Sequence, residues 1–227
     1  MAGEDRKLVW QAATVALAVS AFGLSFGVLT AEAGLSLAQA VALSALVFSG
    51  SAQFAAVSIV ADGGTGVSAV VSGLLLNVRS LAFGVVLAPV LDGPLRRRLF
   101  ASQLVIDEST ALAVAQPDDD RRRRAFWLTG GAVFVGWNVS TVVGAVLTGA
   151  LGDRIDPLGL DAAIPAAFLA LLAPRLGTGP ERLAAVIGTA VALALVPVAP
   201  AGVPILAASV GAVVALRLGP QGQEAPT

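Results

Sequence analysis

Long apolar stretches separated by short charged runs dominate the chain. Three of these stretches lie within the first 91 residues and contain a single charged residue, Arg79. A helix of about 20 apolar residues crosses the hydrocarbon layer of a membrane. The pattern therefore predicts membrane-spanning helices near residues 10–30, 36–61 and 66–91.

The second half of the chain continues the same pattern. Residues 125–152 carry no charge and are long enough for one crossing. Residues 183–216 are also free of charge, but at about 1.5 Å per residue a helix of that length would be too long for one crossing. Because three prolines lie between positions 197 and 204, we expect two spans, near 181–199 and 201–217.

Two arginine-rich runs bracket the weaker apolar stretch between residues 99 and 116. One run is Arg96–Arg98, and the other is the predicted charged loop 118–124. Since arginine-rich short loops face the cytoplasm, both runs should lie on the same side of the membrane. The stretch 99–116 is then expected to be re-entrant, entering and leaving on one side.

Counting crossings predicts the topology and a possible repeat. Three crossings before the second arginine run would place the N-terminus outside, whereas a re-entrant 36–61 would return it to the cytoplasm. The faint likeness of residues 8–117 to residues 125–218, with three crossings in each, suggests two inverted half-repeats in a single membrane domain, 1–227. The alternative is coincidence in a sequence rich in Ala, Val, Leu and Gly.

Composition supports this interpretation and excludes several functions. Hydrophobic residues make up 56% of the chain and charged residues only 13%, with a mean hydropathy of +0.86 and a net charge of −1. Soluble domains carry about 25% charged residues, so the predicted fold is an all-α polytopic membrane helix bundle with broken or re-entrant helices. Its partner is the lipid bilayer, and nothing indicates nucleic acid.

The absence of His, Cys and Tyr restricts the chemistry further. Disulfides, Cys/His metal sites and nucleophilic catalysis with an imidazole base are excluded. We therefore expect no enzyme activity, no metal site and no cofactor. Although Gly23–Gly27 fits the nucleophile-elbow pattern, the missing histidine favours close helix packing through these glycines instead.

Arg79 is the most informative residue, because a guanidinium at the centre of a span costs about 2.5–3.5 kcal/mol. Such a residue must face a cavity or a partner, and Asn77 lies nearby in the same span. One interpretation is a clamp for a substrate carboxylate. The other is a bridge between helices through Asp107 or Glu108, and the two are compatible if substrate competes for the bridge.

The segment Ser49–Gln53 interrupts the second apolar stretch with small and polar residues. Its sequence is Ser-Gly-Ser-Ala-Gln, which favours local unwinding that would free backbone groups for a charged ligand. The alternative is that its small residues only permit close packing. Phe48 and Phe54 flank this break and could line an apolar pocket.

The other polar residues at membrane depth have open roles. Asp107 and Glu108 could bind an ammonium group or carry a proton, or they could lie on a solvated interfacial helix. Trp137 and Asn138 are interpreted as structural, with the Asn138 amide bonding across helices. The candidate substrate-binding residues are Phe48, Ser49, Gly50, Ser51, Gln53, Phe54, Asn77, Arg79, Asp107 and Glu108.

With these residues identified, the chain resembles the AzlC type of branched-chain amino acid permease over almost its whole length. The most specific matching motifs are SGSAQF (49–54), NVRS (77–80) and DEST (107–110); further likeness lies in 34–56, 87–91, 136–153 and 158–174. Ser80 departs from the pattern, because the family commonly has histidine at this position. Any role of that histidine in coupling or selectivity is therefore in doubt for this chain.

The resemblance implies a membrane transport protein that exports branched-chain or similar neutral amino acids across the bacterial cell (inner) membrane. It also implies a small membrane subunit of the AzlD type as partner. The alternatives from the residues alone are a carrier or channel for another small solute, and a membrane subunit that does not transport by itself.

Overall fold

The computed structural model describes residues 2–151, 169, 172–173, 176–199 and 203–218, and all regular secondary structure within them is helical. The predicted all-α membrane bundle is thus confirmed. The helices are α1 (Ala2–Glu32), α2 (Leu37–Val47), α3 (Gly50–Ala61), α4 (Gly66–Asn77), α5 (Arg79–Leu87), α6 (Leu95–Gln103), α7 (Asp107–Val114), α8 (Asp119–Leu151), α9 (Gly179–Leu195), α10 (Val203–Ala208) and α11 (Val210–Leu218).

Three helical stretches among the described residues are long and apolar enough to cross a membrane. They are Asp5–Glu32 in α1, Gly66–Leu87 across α4 and α5, and Asp119–Ala150 in α8. The predicted spans at 10–30, 66–91 and 125–152 fall within or close to these stretches. The predicted span 36–61 is missing from this set, because the chain breaks into the two shorter helices α2 and α3.

Helices α1 and α8 form the centre of the bundle and run in the same direction. At one end, Arg124 donates to the Asp5 carboxylate at 2.7 Å. Further along both helices, a Cβ atom on Gly27 would collide with the backbone of Thr141 in α8. Gly27 therefore lets the two backbones approach closely, as predicted for the Gly23–Gly27 segment.

Helices α2 and α3 form a re-entrant hairpin. The side-chain amide of Gln53 in α3 donates to the Leu43 carbonyl of α2 at 2.8 Å. In one straight helix these residues would be about 15 Å apart, so the chain must turn back at Phe48 and Ser49. The predicted crossing at 36–61 is therefore wrong, and the re-entrant alternative is correct.

The crossing formed by α4 and α5 leads to a second re-entrant hairpin. After α5, the chain reaches Asp92, which pairs with Arg123 near the start of α8 at 3.1 Å. Helix α6 then rises until Gln103 contacts the carbonyl of Leu46 in α2 at 3.0 Å. Helix α7 returns to the first end, which agrees with the re-entrant segment predicted at 99–116.

These contacts correct the predicted topology. The Asp5–Arg124 pair places the N-terminus at the arginine-rich end of the bundle, not at the opposite end. The prediction counted 36–61 as a crossing of the membrane. Without that crossing, the residues before position 36 have the opposite orientation, and the N-terminus lies on the same side as the arginine runs. The predicted charged loop 118–124 is also wrong, because α8 begins at Asp119, with the Asp118 carboxylate accepting from the Arg121 backbone N–H at 2.9 Å.

The described residues bear on only part of the predicted inverted repeat. Since α1 and α8 run parallel, the first helices of the proposed halves 8–117 and 125–218 are not inverted. Within the described residues, the α2–α3 hairpin enters the bundle from one end and the α6–α7 hairpin enters from the other. The comparison of whole halves stays a prediction, because residues 152–168 lie outside the described residues.

The C-terminal pair differs in detail from the predicted spans 181–199 and 201–217. Helix α9 covers most of the first span, but the second is divided into α10 and α11 by a turn at Ser209. A Cβ on Gly211 would strike the backbone of α9 near Ala184. The two helical segments are therefore packed backbone to backbone.

Candidate functional site

The tips of the two re-entrant hairpins meet at a cavity of about 320 Å³ in the middle of the bundle. This volume falls in the size range of small-molecule binding sites, about 300–1,000 Å³. Its walls come from both hairpins, the crossing helix α5 and the central helices. The lining residues are Val19, Phe22, Phe48, Ser49, Gly50, Ser51, Phe54, Arg79, Ser80, Phe83, Val105, Ile106, Asp107, Glu108, Val133, Trp137 and Leu172.

Arg79 connects the two hairpins across this cavity. Its guanidinium donates to the Asp107 carboxylate at 2.7 Å and to the Ser51 hydroxyl at 2.9 Å. Both side chains of the ion pair stay partly accessible, with 40% of Arg79 and 24% of Asp107 exposed. The pair therefore bridges two helices, as the interpretation of Arg79 as a helix bridge predicted. It also presents charge to the cavity, which the interpretation of Arg79 as a substrate clamp requires.

Two helix N-termini open onto the same cavity. Ser49 precedes α3 without making a side-chain cap, and the first turn of α3 holds no acidic residue. The first turn of α7 holds Asp107 and Glu108. Because the first N–H groups of a helix lack partners within it and carry partial positive charge, the α3 end favours an anion. At α7 the acidic pair compensates that charge.

The broken hairpin keeps its shape because side chains satisfy the backbone groups that the break frees. The amide of Gln103 donates to the carbonyls of Ala45 and Leu46 at 2.7 and 3.0 Å, and Gln53 donates to that of Leu43. The Ala45 and Leu46 carbonyls are among the last four of α2, which lack helical donors, whereas the Leu43 carbonyl lies one residue earlier. Gln103 thus ties the tip of one hairpin to the other, which sequence reasoning missed.

Asn77 and Gln53 hold the site without lining the cavity. The Ser49 hydroxyl donates to the Asn77 side-chain oxygen at 2.6 Å, which fixes the break against α4. Gln53 is fully buried and faces α2. The other eight predicted site residues all line the cavity.

An aromatic cluster forms the apolar side of the cavity. Phe54 packs edge-on against Phe26, with ring centroids 5.5 Å apart, and Trp137 stacks on Phe26 at 6.1 Å. Phe48 meets Phe134 edge-on at 4.9 Å. Aromatic pairs of this geometry add about 0.5–1.5 kcal/mol beyond their buried area, which stabilises the packing behind this side of the cavity.

The backbone at Phe48 and Gly50, where the chain breaks between α2 and α3, packs closely against this aromatic cluster. Phe48 has φ +23°, a backbone conformation that a bulky residue adopts only when its surroundings impose it. A Cβ on Gly50 would lie 3.1 Å from the Trp137 ring. Trp137, interpreted as structural from the sequence, therefore both packs the core and lines the cavity.

Several lining residues were not predicted. Phe22, Phe83 and Ile106 are apolar residues in apolar stretches, so the sequence carries no signal that separates them from lipid-facing residues. Asn138 donates to the Phe134 carbonyl one turn earlier at 2.8 Å, rather than across helices as expected. No group of three or more metal-binding side chains occurs in the described part of the chain.

Comparison with known proteins identifies the family. The sequence model described as AzlC protein matches residues 14–151, which include both hairpins and every polar residue of the cavity. Neither a curated protein nor a solved structure matches the chain significantly. Because the match covers more than half of the 227 residues and coincides with the membrane bundle, the chain belongs to the AzlC family of membrane transport proteins.

Proposed function

We propose that this chain is the large subunit of an exporter that carries branched-chain or similar neutral amino acids out across the bacterial cell membrane. The observation that carries the proposal is the partly exposed Arg79–Asp107 pair beside an aromatic-lined cavity. Such a site offers a guanidinium cation, the neighbouring carboxylates of Asp107 and Glu108, and an apolar pocket. These are the three features of a zwitterionic amino acid with an apolar side chain.

The substrate carboxylate would bind on the α3 side of the cavity. Arg79, the Ser51 hydroxyl and the first N–H groups of α3 converge there. A planar guanidinium can bind a carboxylate through two hydrogen bonds. The carboxylate would then replace Asp107 as the partner of Arg79.

The substrate ammonium would pair with the Asp107 carboxylate that Arg79 has released. Asp107 and Glu108 line the same cavity at the start of α7, and either carboxylate could accept from it. One internal ion pair is thus exchanged for two ion pairs with substrate. A 2-oxo acid or a simple amine would leave one charge in the cavity without a partner, which is costly in a low dielectric.

The apolar side chain of the substrate would lie against Phe22, Phe48, Phe54 and Phe83. Displacement of water by a branched aliphatic group is favourable by about 0.8 kcal/mol for each buried CH₂. A polar or charged side chain would gain no such free energy from burial against these aromatic rings. The proposal therefore favours valine, leucine and isoleucine over serine or aspartate.

The meeting of two opposed hairpins supports a carrier rather than a channel or an enzyme. The two hairpins reach the cavity from opposite ends, so movement of either tip would change access from one side at a time. The proposed small AzlD-type subunit rests on the family resemblance. Its candidate docking surface is the α4–α5 crossing, the least buried of the three long helical stretches.

Efflux from proteoliposomes tests the proposal. The chain would be reconstituted with and without a small membrane subunit, and loss of labelled valine from the vesicles would be followed. Leucine should compete with valine, whereas the oxo acid and the amine derived from valine should not. Efflux that is equally inhibited by all three compounds would contradict a zwitterion site. Efflux that requires the second subunit would support the role of large subunit.

A further inference from the structure

A second concavity, separate from the central cavity, lies at the arginine-rich end of the bundle. It is an open groove of about 690 Å³ between the end of α5 and the start of α6. None of its lining residues belongs to the central cavity. We propose that this groove binds a phospholipid with an anionic headgroup, and that Arg98 recognises its phosphate.

The walls of the groove suit a hydrocarbon chain. Leu91, Leu95 and Leu99 line it together with the small residues Ala88 and Gly84, so most of its wall is apolar. Leu95 and Leu99 are 69% and 62% exposed, which leaves a wide apolar edge on α6. On a membrane bundle, an exposed apolar edge of this kind is suited to contact with lipid tails.

The mouth of the groove is positively charged. Arg98 lines it and makes no ion pair with any residue that the structure describes. By contrast, the neighbouring Arg97 pairs with Asp92 and lies over the Trp127 ring, 5.7 Å from its centroid. Arg121–Arg124 each have an aspartate partner.

The one acidic residue at the mouth does not cancel this charge. Asp92 is shared by Arg97 at 3.7 Å and Arg123 at 3.1 Å, so two guanidinium groups already surround its carboxylate. The first turn of α6 contributes no acidic side chain. A phosphate at the mouth would therefore meet net positive charge, while its acyl chain would lie in the apolar groove. Basic pockets between membrane helices bind anionic headgroups in this way.

Arg96 provides a matched control for Arg98. Both are arginines of α6, both are exposed, and neither has an ion pair within the described residues. They are two positions apart on a helix and so point in different directions, and only Arg98 lines the groove. Comparing variants at the two positions therefore separates the effect of removing any positive charge from α6 from the effect of removing the positive charge that lines the groove.

Lipid binding to the purified full chain, measured by native mass spectrometry, tests the proposal. We expect phosphatidylglycerol to remain bound where phosphatidylcholine dissociates. Arg98→Gln should weaken phosphatidylglycerol binding about fivefold, the effect of one arginine near a membrane surface, and Arg96→Gln should leave it unchanged. Ala88→Phe, which fills the groove without changing charge, should also displace the lipid.

Three results would overturn the proposal. One is equal retention of the two lipids by the native chain, and another is equal loss of phosphatidylglycerol from the Arg96→Gln and Arg98→Gln variants. The third is binding of glycerol phosphate as tight as that of the whole lipid, because it would show that the apolar groove is not used. The lipid comparison uses the unaltered protein and does not depend on the stability of any variant.

Discussion

Arg79 and Asp107 are the first residues of two different helices, and their side chains form an ion pair 2.7 Å long. Arg79 follows a one-residue turn at Val78 within the α4–α5 crossing, whereas Asp107 begins α7, next to the start of α3 at Gly50. This arrangement concentrates unpaired helix N–H groups and one guanidinium around the cavity. Asp107 is the carboxylate that pairs with Arg79 in this structure.

Replacing Asp107 with asparagine should change which charge the cavity accepts. Asp107→Asn keeps the shape of the side chain but removes the negative charge beside Arg79. We expect valine efflux to fall at least tenfold and the oxo acid of valine to become a competitor, because its carboxylate would then meet an unbalanced cation. Competition assays in proteoliposomes measure both effects, and continued exclusion of the oxo acid would contradict the assignment of Asp107.

Enlarging Gly50 should reduce the space at the broken hairpin. The Trp137 ring lies 3.1 Å from the position of a Cβ at Gly50, and a valine there would force the ring or the hairpin tip to move. We expect Gly50→Val to raise the KM for leucine more than that for alanine. Gly131→Val is the matched control, because Gly131 of α8 has open space around its Cβ position. Equal effects of the two substitutions would argue against this fit.

Removing the Gln103 amide should loosen the contact between the two hairpins. In Gln103→Leu the carbonyls of Ala45 and Leu46 lose their donor, which should destabilise the protein by about 1–3 kcal/mol. Gln116→Leu is the control, since its amide donates to the Leu112 carbonyl one turn earlier in the chain and not to another hairpin among the described residues. Chemical unfolding followed by tryptophan fluorescence compares the two variants. Equal midpoints would show that Gln103 does not support the tip.

The polar residues of the site were predictable because each is unusual at membrane depth. Arg79 and the Ser49–Ser51 break stand out in an apolar sequence, and the bracketing arginine runs imply a re-entrant 99–116. The hairpin of α2 and α3 was not predictable in the same way. Residues 36–61 are apolar and long enough to cross, and the break at Phe48 together with the Gln53–Leu43 hydrogen bond reveals that the chain turns back.

Other features depend on contacts between distant residues and leave no local signal. The direction of α1 relative to α8 follows from the Gly27–Thr141 approach and the Asp5–Arg124 pair. The helical start of α8 was missed because seven consecutive charged residues resemble a loop. Pairs three residues apart, such as Asp119 with Arg122 at 3.2 Å, can instead stabilise a helix.

Valine binding to purified Arg79 variants tests the central claim most directly. The account predicts that Arg79→Gln loses valine binding in a scintillation proximity assay, that Arg79→Lys retains a weaker form of it, and that Arg121→Gln, which removes an arginine at the surface, binds normally. Thermal unfolding of the same samples shows whether each variant is folded. Normal valine affinity in a folded Arg79→Gln protein would contradict the claim that this guanidinium holds the substrate carboxylate.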